Sequence, residues 1–125
     1  MKTVYEQIGG KETLDRLVGA FYPRVVVDPD LAPLFADSDI QEVARKQSKF
    51  LTQFLGGPML YTEEFGHPMM RYRHLPFEIT PKRAEAWLRC MWKAMEDISL
   101  DGEVRDFFFA RLTQVAHHMV NSEES

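Results

Sequence analysis

Apolar residues in this chain recur three and four positions apart, the repeat of a helix that buries one face. Alternating β-branched runs are missing, the longest such stretch being Val25-Val26-Val27. The first stripe carries Leu14, Leu17, Val18, Phe21 and Val25, after the Gly9-Gly10 break. The second carries Ile40, Val43, Ala44, Phe50, Leu51 and Phe54, with Gln47 standing inside it. Ser38 with Gln41 three residues on reads as its capping box, and Gly56-Gly57-Pro58 stops it. A third stripe, Ala84, Trp87, Leu88, Met91, Met95 and Ile98, opens at Thr80-Pro81, a cap followed by proline in the first turn. The fourth follows Asp101-Gly102 and carries Val104, Phe107, Phe108, Leu112, Val115 and Met119. Pro23 is expected to bend or break the first helix. The spacing thus predicts an all-α chain of four helices. Between the second and third lies a long excursion from Gly57 to Ile79, and stretches of that length inside a domain tend to be functional.

Length and composition narrow the class. At 125 residues, with 45% apolar and 27% charged residues, the chain fits one globular domain, 1–125, ending in a polar tail at 121–125. A net charge of −4 argues against nucleic acid as a partner, because phosphate binding needs a basic surface. One cysteine, Cys90, excludes an internal disulfide and reads as helix packing. No apolar run approaches a membrane span, and Met1-Lys2-Thr3-Val4 begins no apolar signal core. The expectation is a soluble, cytoplasmic protein without a membrane or nucleic-acid partner. Few apolar positions fall on outer faces, which suits a monomer or weak homodimer.

The informative positions are polar groups inside apolar stripes. Gln47 is either a glutamine at the stripe's edge or a donor aimed inward. Tyr22 is either a core ring with its hydroxyl on a backbone group or a second inward donor. Trp87 fits an ordinary core, yet its indole N–H can only donate. Mutual satisfaction explains one pair; three donors from three helices point to a missing acceptor.

Among the histidines, His117 and His118 suit the C-terminal end of a helix, and His67 sits in a Gly66-His67-Pro68 loop. His74, in Arg71-Tyr72-Arg73-His74-Leu75-Pro76-Phe77, has apolar neighbours but no second His or Cys nearby to complete a zinc site. A single imidazole holds a metal only if something else supplies the other ligands. Haem does so, offering four nitrogens and needing one axial histidine.

Phe21-Tyr22, Gly56-Gly57-Pro58, Gly66-His67-Pro68, Arg71-x-Arg73-His74-x-Pro76-Phe77 and Ala86-Trp87-Leu88-Arg89-Cys90-Met91 together resemble the group II truncated haemoglobins. The likeness runs from Tyr5-Glu6 to Met119-Val120-Asn121. It implies a shortened globin fold, a two-on-two helical sandwich of B and E helices over G and H around haem b, with the short F element in the excursion. It implies His74 as the proximal iron ligand and Tyr22, Gln47 and Trp87 as distal donors. Phe35 matches a ring packed on the haem, Val43 the distal gate, and Lys46 and Tyr61 positions that reach the propionates; Arg73 offers a third. The apolar Val43 cannot hydrogen-bond a ligand, and Phe35 stands where some relatives have tyrosine. The activity implied is reversible, slow-releasing binding of dioxygen and other diatomic ligands such as CO and NO. The alternative is a haem redox enzyme, detoxifying NO or acting like a peroxidase with a reductase. A different class remains, a haem-free helical interaction domain in which the three donors satisfy one another.

Overall fold

The computed structural model describes residues 2–123, and among them helices are the only regular elements. They are α1 (Val4–Ile8), α2 (Gly10–Val25), a short 3-10 turn (Ala32–Phe35), α3 (Ile40–Phe54), α4 (Leu60–Phe65), α5 (Met70–His74), α6 (Pro81–Asp97) and α7 (Gly102–Met119). The four predicted stripes are α2, α3, α6 and α7. α2 packs on both α3 and α6, and α6 packs on α7. The result is one helix pair laid over another, as expected. No described helix is long and apolar enough to cross a membrane.

Local chemistry sets most of the boundaries. The Thr80 hydroxyl accepts from the Arg83 amide at 3.1 Å, and Pro81 occupies the first turn of α6 where its missing N–H costs nothing. Thr3 and Glu6 form a reciprocal capping box at α1. The second stripe differs from expectation: Asp39, not Ser38, caps α3, its carboxylate accepting from the Gln41 and Glu42 amides at 3.1 and 3.4 Å. A carboxylate also suits the positive end of the helix dipole, while the Ser38 amide is spent closing the preceding turn on the Phe35 carbonyl.

Pro23 lies inside α2 without ending it. A proline there removes the partner of the carbonyl four residues earlier and crowds it. That residue is Gly19; both positions are exposed, so water can serve the freed carbonyl.

The core is built from Leu14, Leu17, Phe21 and Val25 of α2, Met91 and Met95 of α6, and Phe108 and Leu112 of α7, all essentially buried. Truncating one such side chain to alanine costs about 2–5 kcal/mol. α3 is different. Of its apolar stripe only Leu51 is buried, and Val43, Ala44, Phe50 and Phe54 remain half-covered. An apolar face left half-covered in the middle of a fold has space beneath it.

The excursion is ordered by two short helices strapped to longer ones. Gln53 holds the Thr62 amide and hydroxyl, both at 2.9 Å. Arg45 forks onto Glu64 while also reaching Glu42, and Lys49 joins Glu64, tying α4 to α3. Hydrogen bonds from Arg45 first, then Lys49, hold the Glu64 carboxyl down to about 2.

Candidate functional site

Five helices, α2, α3, α5, α6 and α7, and the 3-10 turn converge on the space beneath α3. Tyr22 enters from α2, Val43, Gln47 and Phe50 from α3, His74 from α5, and Trp87 from α6. They enclose an apolar cavity of about 160 Å³, closed further by Leu34, Phe35, Ala84 and Val115. A wider cleft of about 430 Å³ shares Phe35, Val43, Gln47 and His74 as wall and adds Lys46, Tyr61, Arg73 and Phe77. All nine residues singled out from the sequence therefore line one continuous site.

The imidazole of His74 is oriented by its own helix. Its Nδ1 lies 2.7 Å from the Met70 carbonyl oxygen. A carbonyl only accepts, so Nδ1 carries the proton and Nε2 keeps its lone pair free. That tautomer is the one a metal ligand needs, with the second nitrogen fixed by a carbonyl. No group of three His, Cys, Asp or Glu side chains suited to a metal ion exists among the described residues. Any metal at His74 must bring its remaining ligands with it.

Tyr22, Gln47 and Trp87 do not satisfy one another. Among the described residues none of their side chains has a hydrogen-bond partner, and no fully buried polar side-chain atom lacks one. The polar atoms of these three side chains are therefore unbonded without being fully enclosed, and all three residues line the cavity. The Tyr22 ring is wedged edge-on between Phe21 and Phe35, with centroids at 4.9 and 6.2 Å. Phe21 in turn meets Trp87 at 5.2 Å. Burial pushes the Tyr22 phenol up, so it remains a protonated donor at neutral pH.

At the cleft's rim the polar groups are of another kind. Lys46 rests its ammonium 5.3 Å from the Phe65 ring and makes no salt bridge among the described residues, although its charge reaches Glu42. The Tyr61 hydroxyl likewise has no protein partner there. Arg73 is already committed: it donates to the carbonyls of Phe65, His67 and Pro68 at 2.8, 3.0 and 2.7 Å, leaving Nη1 unengaged.

These observations meet a clear likeness to known proteins. The family model for bacterial-like globins matches residues 3–121. Over 121 residues the chain is 59% identical to the group 2 truncated haemoglobin YjbI of Bacillus subtilis, covering 97% of this chain and 90% of that one. The chain belongs to the group II truncated haemoglobins. Its fold agrees: the crystal structure of the group II truncated haemoglobin from Bacillus anthracis superposes with a TM-score of 0.97 at 57% identity, covering 100% of this globin and 95% of the other. The truncated oxygen-avid haemoglobin of Bacillus subtilis gives 0.92 at 58% identity, covering 96% of this globin and 100% of that chain.

This globin is therefore a haem protein, and its site suits a flat, largely apolar group with acidic edges. The half-covered face of α3 offers apolar contact, His74 one free nitrogen, and the rim a cation without a salt bridge and a phenol without a hydrogen-bond partner. Residues that sequence reasoning passed over also shape the site. Met70 fixes the His74 tautomer through its carbonyl, and Arg83 bridges the carbonyls of Asp30 and Glu78 at 3.2 and 2.6 Å beside the cavity. Neither carried a signal: one acts through its backbone, and the other is an arginine on a half-exposed helical face.

Proposed function

We propose that this truncated haemoglobin reversibly binds dioxygen, and other diatomic ligands such as CO and NO, with His74 holding haem b through Nε2. Haem held there would supply an iron able to take up a diatomic ligand. Tyr22, Gln47 and Trp87 donate hydrogen bonds to a polar ligand held in the cavity, each worth about 1.5–3 kcal/mol when the acceptor carries charge. Release of dioxygen is accordingly slow, and CO, which takes up less negative charge, gains less. The observation that carries the reading is the set of three donors without protein acceptors in the cavity that also receives a free imidazole nitrogen.

The remaining residues take supporting roles. Phe35, Val43 and Phe50 pack on the ring, and Val43 guards the distal side without hydrogen-bonding. Lys46, Tyr61 and the unengaged Nη1 of Arg73 meet the propionates, contributing little because exposed pairs are screened. Non-covalent haem b is favoured over a thioether-linked form because the chain has a single cysteine. Large exposed apolar side chains are split between the excursion, at Met59, Met69, Tyr72, Leu75 and Phe77, the stretch just past the end of α2, at Val26 and Val27, and α7, at Phe107, and do not form one outer face; this supports a monomer or weak homodimer.

Titrating haemin into the haem-free chain tests the reading. A Soret band that saturates at one equivalent, followed, after reduction to the ferrous form with dithionite, removal of the reductant and oxygenation, by oxygen release much slower than release from Tyr22→Phe, supports it. Failure to develop the band returns the chain to a haem-free interaction domain. Lys46, which makes no salt bridge at the rim, favours a second reading, in which an electron-donating reductase docks there and the protein is a redox enzyme. Steady NADH-coupled turnover of NO with such a reductase selects that reading, and slow autoxidation alone selects the binder.

A further inference from the structure

His74 ends a helix of five residues, α5, whose N-cap carries no side-chain hydrogen bond. A helix that short has no stability of its own, so the imidazole's placement must be imposed from outside. The end of α7 supplies it. The Arg71 guanidinium donates to the His118 carbonyl at 3.1 Å. Two residues past the end of α7, Asn121 makes a denser set of contacts. Its amide N–H donates to the Ile79 carbonyl at 3.0 Å, and its side-chain oxygen accepts from the Ile79 amide at 2.9 Å. Its side-chain nitrogen donates to the carbonyls of Phe77 and His74 at 2.9 and 3.3 Å. The amide orientation is fixed chemically, since the nitrogen faces two carbonyls and the oxygen faces an N–H. One side chain thus clasps both ends of the turn that runs from His74 to Ile79, across 42 to 47 residues of sequence.

We infer that Asn121 is a positioning residue for the proximal ligand, holding the His74 backbone so that its imidazole keeps one height and rotation toward the iron. The inference rests on His74 being the haem ligand. Asn121 does not reach the cavity itself: it lines neither the inner pocket nor the cleft. Its influence runs through the carbonyl of the ligand residue, which also accepts from the Phe77 amide at 2.9 Å. The donated bonds therefore matter most, because they restrain the ligand's own peptide group.

Two variants separate the parts. Asn121→Ala removes every side-chain bond, while Asn121→Asp keeps the acceptor for Ile79 and removes both donors. His118→Ala serves as control, altering the same helix end but keeping its carbonyl. Three measurements apply: transfer of haem to excess apomyoglobin, the iron–imidazole stretching band of the ferrous ligand-free protein by resonance Raman, and hydrogen exchange at the Ile79 amide in the haem-free chain. Losing the two donated hydrogen bonds is expected to speed haem transfer roughly tenfold in both variants. The iron–imidazole band should shift in both, and Ile79 exchange should accelerate in the alanine variant. The control should match the wild type throughout. Should the alanine variant fail to fold, the aspartate variant carries the test alone. Haem transfer within about twofold of the wild type and an unmoved band in both variants would overturn the inference while leaving the His74 assignment intact. An aspartate variant that behaves as wild type while alanine does not overturns the role given to the donated bonds. A wild-type chain that shows no iron–imidazole band overturns the ligand assignment itself, and this inference with it.

Discussion

Replacing Tyr22 by phenylalanine isolates a single donor. The side chain is 5% exposed and its hydroxyl has no protein partner among the described residues, so removing it strands no acceptor. The edge-on contacts with Phe21 and Phe35 are made by the ring and survive. Stability of the haem-free chain should therefore stay within about 0.5 kcal/mol of the wild type. Ligand release should not. A hydrogen bond to a charged acceptor contributes about 1.5–3 kcal/mol, which at 1.4 kcal/mol per decade is roughly a 10- to 150-fold faster loss of dioxygen. CO release should change far less. Because burial holds the phenol protonated well above neutrality, the wild-type rate should not depend on ionisation of Tyr22 near neutral pH. Stopped-flow mixing with a dioxygen scavenger measures the rate. Trp87→Phe should behave similarly, and the double variant should depart from additivity because both donors face one ligand. If both single variants release dioxygen within about twofold of the wild type, the donors do not hold the ligand and the reasoning fails.

Other outcomes follow from the scaffold. Asp39→Ala should cost about 1 kcal/mol in a thermal melt and Ser38→Ala much less, because only the aspartate caps α3. The Glu64 carboxyl is held down to about 2 in the fold by Arg45 and Lys49 but has its ordinary value when unfolded, so the link it makes stabilises above the ordinary carboxylate range and is lost as pH falls toward 2. Glu64→Gln should flatten the fall in melting temperature between about pH 5 and pH 2. A Cβ at Gly57 would sit 2.9 Å from the Thr52 carbonyl oxygen and the Tyr5 ring, so Gly57→Ala should lower stability by about 1–3 kcal/mol in urea titration.

The sequence made the long helices readable because a stripe of 15 or more residues completes several turns and shows its period. α1, α4 and α5, of 5 or 6 residues, complete fewer than two turns and leave no stripe to read. The cap of α3 was misplaced by one residue because Ser38 and Asp39 both suit that position, and only the fold shows which amide each serves. Pro23 reads as a bend or a break, and its avoiding the break depends on Gly19 and itself both facing solvent, a fact about three dimensions. Within the site, residue types told which groups could donate; that Tyr22, Gln47 and Trp87 lack protein acceptors is visible only once the chain is folded. Arg73 shows the converse. A free cation on paper, it spends most of its donors on three carbonyls of its own loop. Asn121 opens what reads as a polar tail, and nothing in Asn121-Ser122-Glu123 announces its grip on the turn after His74; residues 124 and 125 of that tail lie outside the described residues.

Haemin uptake by His74→Ala, with and without added imidazole, bears most directly on the ligand assignment. The alanine variant should keep its helical circular dichroism yet fail to retain haem through gel filtration, and imidazole supplied from solution should restore a wild-type-like Soret band. A variant that retains haem with an unchanged five-coordinate spectrum in the absence of imidazole would contradict the account.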